Sequence, residues 1–163
     1  MEKKPVPLKS LLVLFSYHQK NTRKIADVFA KVLDAQIKTP GQISPDVLQE
    51  YDLVGFGSGI YDAKHHVSLL DLADKLPQVI NKKAFIYSTC GVPAGFLTKE
   101  LIAKNHSQLR EKLHSKGYVI VGEFSCAGLN TNSFLKLLGG INKGRPDAKD
   151  LKNAQEFAGK LNS

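Results

Sequence analysis

The chain has 163 residues, of which 42% are apolar and 23% charged. This size and balance exclude a disordered, collagen-like or coiled-coil chain and predict one domain over residues 1–163. The formal net charge of +8 favours anionic partners but does not specify a fold.

The cysteines and the lengths of the apolar runs indicate the cellular compartment of the protein. The longest apolar run near the start covers residues 11–15, far short of the roughly 20 residues of a membrane span. The early lysines are not followed by the apolar stretch and cleavage site of a secretion signal. Cys90 and Cys126 form no CxxC pair and are typical of free thiols in a reducing compartment. We therefore expect a cytoplasmic protein without membrane insertion.

Short apolar segments alternate with helical patterns along the chain. The first segment, residues 11–15, precedes an amphipathic stripe over residues 25–33, with Asn21 and Thr22 as candidate caps. The second segment, residues 35–39, alternates polar and apolar residues, as an edge strand does. The later predictions are a short helix within residues 40–51, strands over 52–57, 84–88 and 118–124, and helices over 69–80, 97–113 and 151–161.

Strand–helix alternation of this kind predicts right-handed βαβ units. Four of the five strand segments are almost continuously apolar, as strands buried on both faces are. The sequence therefore predicts an α/β fold with a parallel sheet and helices on both faces. Ligands of such sheets bind beyond the carboxyl ends of the strands, so the residues after each strand are the candidate site.

The loop after the first strand has the chemistry of a phosphate site. It carries hydroxyls at Ser16 and Thr22, an amide at Asn21 and a charge at Lys20, and it runs into a helix N-terminus. Backbone N–H groups and the positive end of the helix dipole favour an anion there. The alternative that the serine and asparagine only cap the helix stays open.

The loop after the third strand contains Gly57, Ser58, Gly59, Ile60 and Tyr61. Glycines permit φ > 0 and a close approach of a ligand to the main chain. The Tyr61 ring could stack on a planar group or only close the loop. These glycines do not form a dinucleotide-binding fingerprint, because they follow the third strand and no further glycine opens a helix.

These loops, with Ser88, Thr89, Cys90 and Gly91 after the fourth strand, resemble those of the flavodoxin family. That family has a Ser/Thr-rich phosphate loop ending in Asn-Thr, a Gly-Ser-x-Ile-Tyr loop and a Ser/Thr-x-Gly loop, in this order. Residues 140–146, Gly-Ile-Asn-Lys-Gly-Arg-Pro, look like those of a subgroup from anaerobes. The resemblance implies a flavodoxin-like doubly wound sheet of five parallel strands in the order 2-1-3-4-5.

The resemblance also implies a non-covalent FMN that carries one or two electrons between redox partner proteins. The positive charge of the chain predicts acidic surfaces on those partners. By position in the motifs, the phosphate contacts would be Ser16, His18, Gln19, Lys20, Asn21 and Thr22. The ring contacts would be Ser58, Gly59, Ile60 and Tyr61 near N5, and Ser88, Thr89, Cys90 and Gly91 at the other edge.

An FMN-dependent oxidoreductase acting on a quinone or another small acceptor is the main alternative. The same cofactor loops would serve it, and residues 128–145 with His65 and His66 could form a substrate pocket. Cys90 fits an ordinary packed side chain better than a reactive thiol.

Other classes lack the residues they need. A phosphorylated receiver domain requires acidic residues where Phe15-Ser16 and Gly57-Ser58 stand. The basic residues form no strip interleaved with aromatic residues, so we do not expect nucleic-acid binding. His18, His65 and His66 have no carboxylate or cysteine at a ligand spacing, so we predict no metal site.

Overall fold

The computed structural model describes residues 6–16, 20–130 and 140–162. The strands are β1 (Ser10–Phe15), β2 (Gln36–Lys38), β3 (Leu53–Tyr61), β4 (Lys64–His65), β5 (Lys82–Cys90) and β6 (Tyr118–Ala127). The helices are α1 (Asn21–Leu33), α2 (Val67–Lys75), α3 (Lys99–Ser115) and α4 (Ala148–Leu161). Short 3₁₀ helices cover Pro40–Gln42, Pro45–Glu50 and Ala94–Phe96.

The main sheet has the strand order β2-β1-β3-β5-β6, with every neighbouring pair parallel. The two-residue β4 lies off this path and pairs antiparallel with the end of β3. With β4 set aside, the five parallel strands have the predicted order 2-1-3-4-5. The predicted fold class is confirmed, and the link before β3 contains short 3₁₀ helices, as its length required.

Each face of the sheet has its own apolar core, which explains the continuous apolar strands. In β1, Leu11 and Val13 pack in one core with side chains of α2 and α3. Leu12 and Leu14 pack in the other core with side chains of α1 and α4. Successive strand residues point to opposite faces, so a strand covered on both sides needs apolar residues at every position.

The glycines of β3 make room for aromatic rings. A Cβ on Gly55 would lie 2.4 Å from the Phe85 ring, and one on Gly57 would lie 2.1 Å from the Tyr87 ring. None of the β3 glycines has a positive φ. The freedom of glycine to adopt φ > 0 is therefore not used in β3. Positive φ occurs instead at Asp62 and Ala63, in the turn between β3 and β4.

Helix boundaries differ from the prediction where proline intervenes. The second helix was expected to extend to residue 80, but α2 ends at Lys75, and Ile80 is 88% exposed. Pro77 disfavours helical φ and ψ at the residue before it, which explains the early end. α4 begins at Ala148, three residues before the predicted apolar stripe of residues 151–161, because Asp147 and Asp150 form a reciprocal capping box.

Candidate cofactor-binding site

No side chain of the described residues caps the N-terminus of α1. Lys20 stands at the N-cap position with left-handed backbone angles (φ 54°), and its side chain makes no capping hydrogen bond. The predicted caps have other partners: Asn21 Nδ2 donates to the Leu129 carbonyl at 2.9 Å, and the Thr22 hydroxyl bonds that of Thr89 at 2.8 Å. The alternative that the asparagine only caps the helix is therefore wrong.

An anion fits this helix end. The N–H groups of the first turn donate to no capping side chain among the described residues, and they lie at the positive end of a 13-residue helix. The Ser16 hydroxyl, directly after β1, is buried without a hydrogen-bond partner in the described part of the chain. A phosphate would supply hydrogen-bond acceptors for these N–H groups and for the Ser16 hydroxyl. The predicted contacts His18 and Gln19 lie outside the described residues.

The two predicted ring loops are the adjacent ends of β3 and β5. Ser58 pairs with Ser88, and Gly59 with Thr89, in the parallel register. The predicted contacts Ser58–Ile60 and Ser88–Cys90 are therefore fixed by strand pairing rather than by loop conformation. The Thr22–Thr89 hydrogen bond joins the start of α1 to the end of β5, so the last residue of the predicted phosphate loop contacts one of the predicted ring loops.

The hydroxyls of Ser58 and Ser88 point into the protein. Both residues are 0% exposed. Ser58 Oγ lies 2.9 Å from His65 Nδ1 and accepts the His66 N–H at 3.0 Å. Ser88 Oγ lies 2.7 Å from His106 Nε2 and 2.8 Å from Ser125 Oγ. Ser58 Oγ also lies 2.7 Å from the Gly59 carbonyl oxygen, to which it donates, so both hydroxyls bond within the protein and stabilise the strand ends.

A polar network continues from these serines to the surface. His106 Nδ1 bonds Glu123 at 2.9 Å, and Arg110 holds both Glu123 oxygens, at 2.6 and 2.9 Å. Burial alone would raise the pKa of Glu123, but hydrogen bonds from His106 and Arg110 outweigh it and lower that pKa to about 2. Burial lowers the pKa of His65 well below its ordinary value, and His106 lowers it further. His65 is therefore neutral in the folded protein.

The aromatic side chain of Tyr61 contacts His66, which packs on the last residue of β1. Its ring makes an edge contact with His66 at 5.4 Å, and His66 stacks on Phe15 with 3.6 Å between ring centroids. Tyr61 also lies over Gly59, where an added Cβ would be 3.0 Å from the tyrosine hydroxyl. Stacking of Tyr61 on a bound ring stays a prediction.

A pocket of about 280 Å³ lies between the ring loops and α3. It brings together the predicted residues Ile60, Cys90 and Gly91. It is also lined by residues that the sequence analysis did not select: Asp62, Ala63, Val92, Leu101, Asn105 and Asn130. Cys90 is buried, as expected for a packed side chain.

The sequence contains a pattern that identifies Asn105 and His106 as candidate site residues. Asn105 lies midway between Leu101 and Leu109 at helical spacing, and His106 lies next to it. Polar residues within an apolar stripe need a buried partner or a ligand. That pattern would have marked these two residues as candidates.

Asn142, in the predicted subgroup segment of residues 140–146, supports the residues that follow β5. Asn142 Nδ2 donates to the Val92 carbonyl at 2.7 Å, and its Oδ1 accepts the Ala94 N–H at 3.0 Å. Asn130 Nδ2 donates to the Gly91 carbonyl at 3.2 Å. Residues 131–139, the middle of the predicted long loop, lie outside the described residues.

The match to known sequences decides the family. Residues 12–131 match the flavodoxin domain family. The chain belongs to the flavodoxin family. FMN, the cofactor predicted above, is the cofactor of this family, and the predicted family is confirmed.

Individual relatives extend this result over most of the chain. An uncharacterized protein of Methanocaldococcus jannaschii is 48% identical over 151 residues, covering 93% of this chain and 96% of the relative. Oxidised flavodoxin 2 from Bacillus cereus superposes with a TM-score of 0.64 at 20% identity, covering 92% of this chain and 94% of that one. An FMN-bound flavodoxin from Fusobacterium nucleatum has a TM-score of 0.65 at 12% identity, with 94% and 96% covered. The two structures share the fold.

Within the described residues, no helix has the length and apolar character needed to cross a membrane.

Proposed function

We propose that this flavodoxin-family protein carries one or two electrons between redox partner proteins on a bound FMN, and that it does so in the cytoplasm. The uncapped N-terminus of α1, next to the unpartnered Ser16 hydroxyl, is the observation that carries the proposal. It provides donors for a terminal phosphate immediately beside the paired ends of β3 and β5. The two cysteines, both free, agree with a reducing compartment.

Different residues hold the phosphate and the ring of the cofactor. The Ser16 hydroxyl and the first N–H groups of α1 bind the phosphate, with Lys20 adding positive charge. The main chain after Ser58 and after Ser88 flanks the ring, which supplies the redox chemistry when FMN is bound. The buried network beneath these serines keeps both strand ends in place.

The surface around the site favours acidic partners. Exposed lysines follow β1 and β3, at Lys20 and Lys64, and Lys99 begins α3. Phe96, in the 3₁₀ helix after β5, is 70% exposed and offers an apolar contact. The net charge of +8 attracts negatively charged proteins and repels basic ones.

Steady-state kinetics distinguish the carrier from the oxidoreductase alternative. The FMN-loaded protein is mixed with NADH or NADPH and a one-ring quinone, and quinone reduction is followed beside a free-FMN control. A carrier shows no turnover above that control, yet after chemical reduction it passes electrons to an acidic iron–sulfur protein. Saturable quinone turnover far above free FMN would contradict the carrier role and support the oxidoreductase.

A further inference from the structure

The side-chain amide of Asn105 is buried with almost no hydrogen-bond partners among the residues that the structure describes. Asn105 lies in the second turn of α3 and is 2% exposed. Within the described residues its Oδ1 has no hydrogen-bond partner, and its Nδ2 reaches only the Cys90 sulfur, at 3.9 Å. A thiol sulfur is a weak acceptor. Buried amides are normally paired, so this one needs a partner that the described residues do not supply.

Asn105 lines the pocket between the two ring loops. Ile60 and the Asp62–Ala63 turn form one wall, and residues 90–92 form another. Leu101, one turn before Asn105 on α3, gives the pocket an apolar surface next to the amide. The pocket therefore combines mainly apolar walls with a few polar residues, Asp62, Asn130 and the unsatisfied Asn105 amide, which is the pattern of a site for a small ligand.

We propose that Asn105 binds the imide edge of the flavin ring. This inference rests on the proposed function, since it concerns the same FMN. The imide edge carries an N–H flanked by two carbonyl oxygens. A carboxamide offers the complementary acceptor and donor side by side, the arrangement with which asparagine reads an adenine edge. Asn105 Oδ1 accepts the ring N–H, and Nδ2 donates to a neighbouring ring carbonyl.

A binding role and a structural role predict opposite effects of removing the amide. A structural asparagine would make good hydrogen bonds in the folded protein, and its loss would destabilise the fold. The Asn105 side chain makes none to nitrogen or oxygen of the described residues, so replacing it with leucine removes an unsatisfied polar group from a mainly apolar pocket. The Asn105→Leu protein without FMN is therefore at least as stable as the wild type.

The experiment measures binding of two ring probes to the full chain freed of FMN. Lumiflavin has the intact imide, and 3-methyllumiflavin has a methyl group in place of the N–H. We expect the wild type to bind lumiflavin about tenfold more tightly than the methylated probe. This ratio corresponds to the free energy of the one to two hydrogen bonds that the methyl group removes. We expect Asn105→Leu to bind both probes equally weakly, and to lose about tenfold in FMN affinity. Asn153→Leu, at an exposed position of α4, is the matched control and leaves both affinities unchanged.

The outcomes separate this inference from the proposed function. If the wild type binds FMN but binds lumiflavin and 3-methyllumiflavin equally well, the role of Asn105 is overturned and the proposed function is not. Unchanged FMN affinity in Asn105→Leu would do the same. Failure of the wild type to bind FMN would overturn the proposed function together with this inference. Urea unfolding of the FMN-free variant checks that any loss of affinity is not a loss of fold.

Discussion

At the scale of single residues, the packing of Gly57 against Tyr87 predicts a large cost for a small change. A Cβ on Gly57 would lie 2.1–2.3 Å from three atoms of the Tyr87 ring. That ring is fixed, because its hydroxyl donates to the Val13 carbonyl at 3.0 Å and Phe29 packs edge-on against it at 5.2 Å. We expect Gly57→Ala to lower the free energy of unfolding by about 3 kcal/mol, the upper range for overpacking.

Gly159→Ala is the control for this prediction. Gly159 is a helical residue of α4 with no atom within 4 Å of an added Cβ. Alanine there should raise the free energy of unfolding by about 0.5–1 kcal/mol. Urea unfolding measures the change in the free energy of unfolding for both variants. A change for Gly57→Ala as small as that for Gly159→Ala would contradict the packing described around β3.

The direction of individual side chains in the candidate site could not be predicted from the sequence. The motifs identified the stretches that carry the candidate site, because strand ends and helix starts have local signals. They could not show that the hydroxyls of Ser58 and Ser88 point inward, since their partners His65 and His106 come from other elements. Side-chain direction at a strand end depends on such distant partners.

At the scale of elements, the turn between β3 and β4 holds an alanine in a left-handed conformation. Ala63 has φ 60° and Asp62 φ 50°. The left-handed region costs a residue with a Cβ about 1 kcal/mol, whereas glycine adopts it freely. We expect Ala63→Gly to stabilise the protein by about 0.5–1 kcal/mol in urea unfolding.

The same exchange inside a helix should have the opposite sign. Ala103 is an exposed residue in α3, and Ala103→Gly should cost about 1 kcal/mol. Destabilisation by both exchanges would contradict the left-handed assignment of Ala63.

The start of α2 depends on a neutral histidine. His66 is the N-cap residue, and its Nδ1 accepts the Ser68 N–H at 3.2 Å. Burial lowers the pKa of His66 below 6.5, so the unfolded chain takes up a proton before the folded protein does. Stability from this group is complete above the unfolded pKa and is lost as the pH falls below it. The lowered pKa of His65 acts in the same direction.

We therefore expect the free energy of unfolding to fall between about pH 7 and about pH 5. His66→Asn keeps a capping acceptor without a titrating group, so this variant should lose less stability over the same interval. Urea unfolding at both pH values measures the difference. A variant that loses as much as the wild type would show that His66 does not contribute.

At the scale of the whole molecule, the alternation of buried strands and amphipathic helices was sufficient to predict the sheet. Strands apolar at every position must be covered on both faces, and this limits the topology to a few parallel arrangements. The flavodoxin motifs then selected the order 2-1-3-4-5. The pocket was not predictable in the same way, because α3, the β3–β4 turn and residues 90–92 meet there only in the folded protein.

The net charge of +8 predicts how the whole molecule meets its partners. Electron transfer to an acidic iron–sulfur protein should slow as salt is added, because screening weakens long-range attraction. Electron transfer to a basic cytochrome should not slow in this way. Stopped-flow rates at increasing ionic strength check both, and a salt-independent rate with the acidic partner would contradict electrostatic steering.

Calorimetric titration of the FMN-free protein with FMN and with riboflavin tests the central claim most directly. The two ligands share the ring and differ by the phosphate that we assign to Ser16 and the uncapped N-terminus of α1. We expect FMN to bind on the order of a hundredfold more tightly, as charge-assisted hydrogen bonds to a phosphate would give. Riboflavin binding as tightly as FMN would contradict the phosphate site and, with it, the assignment of the first loop.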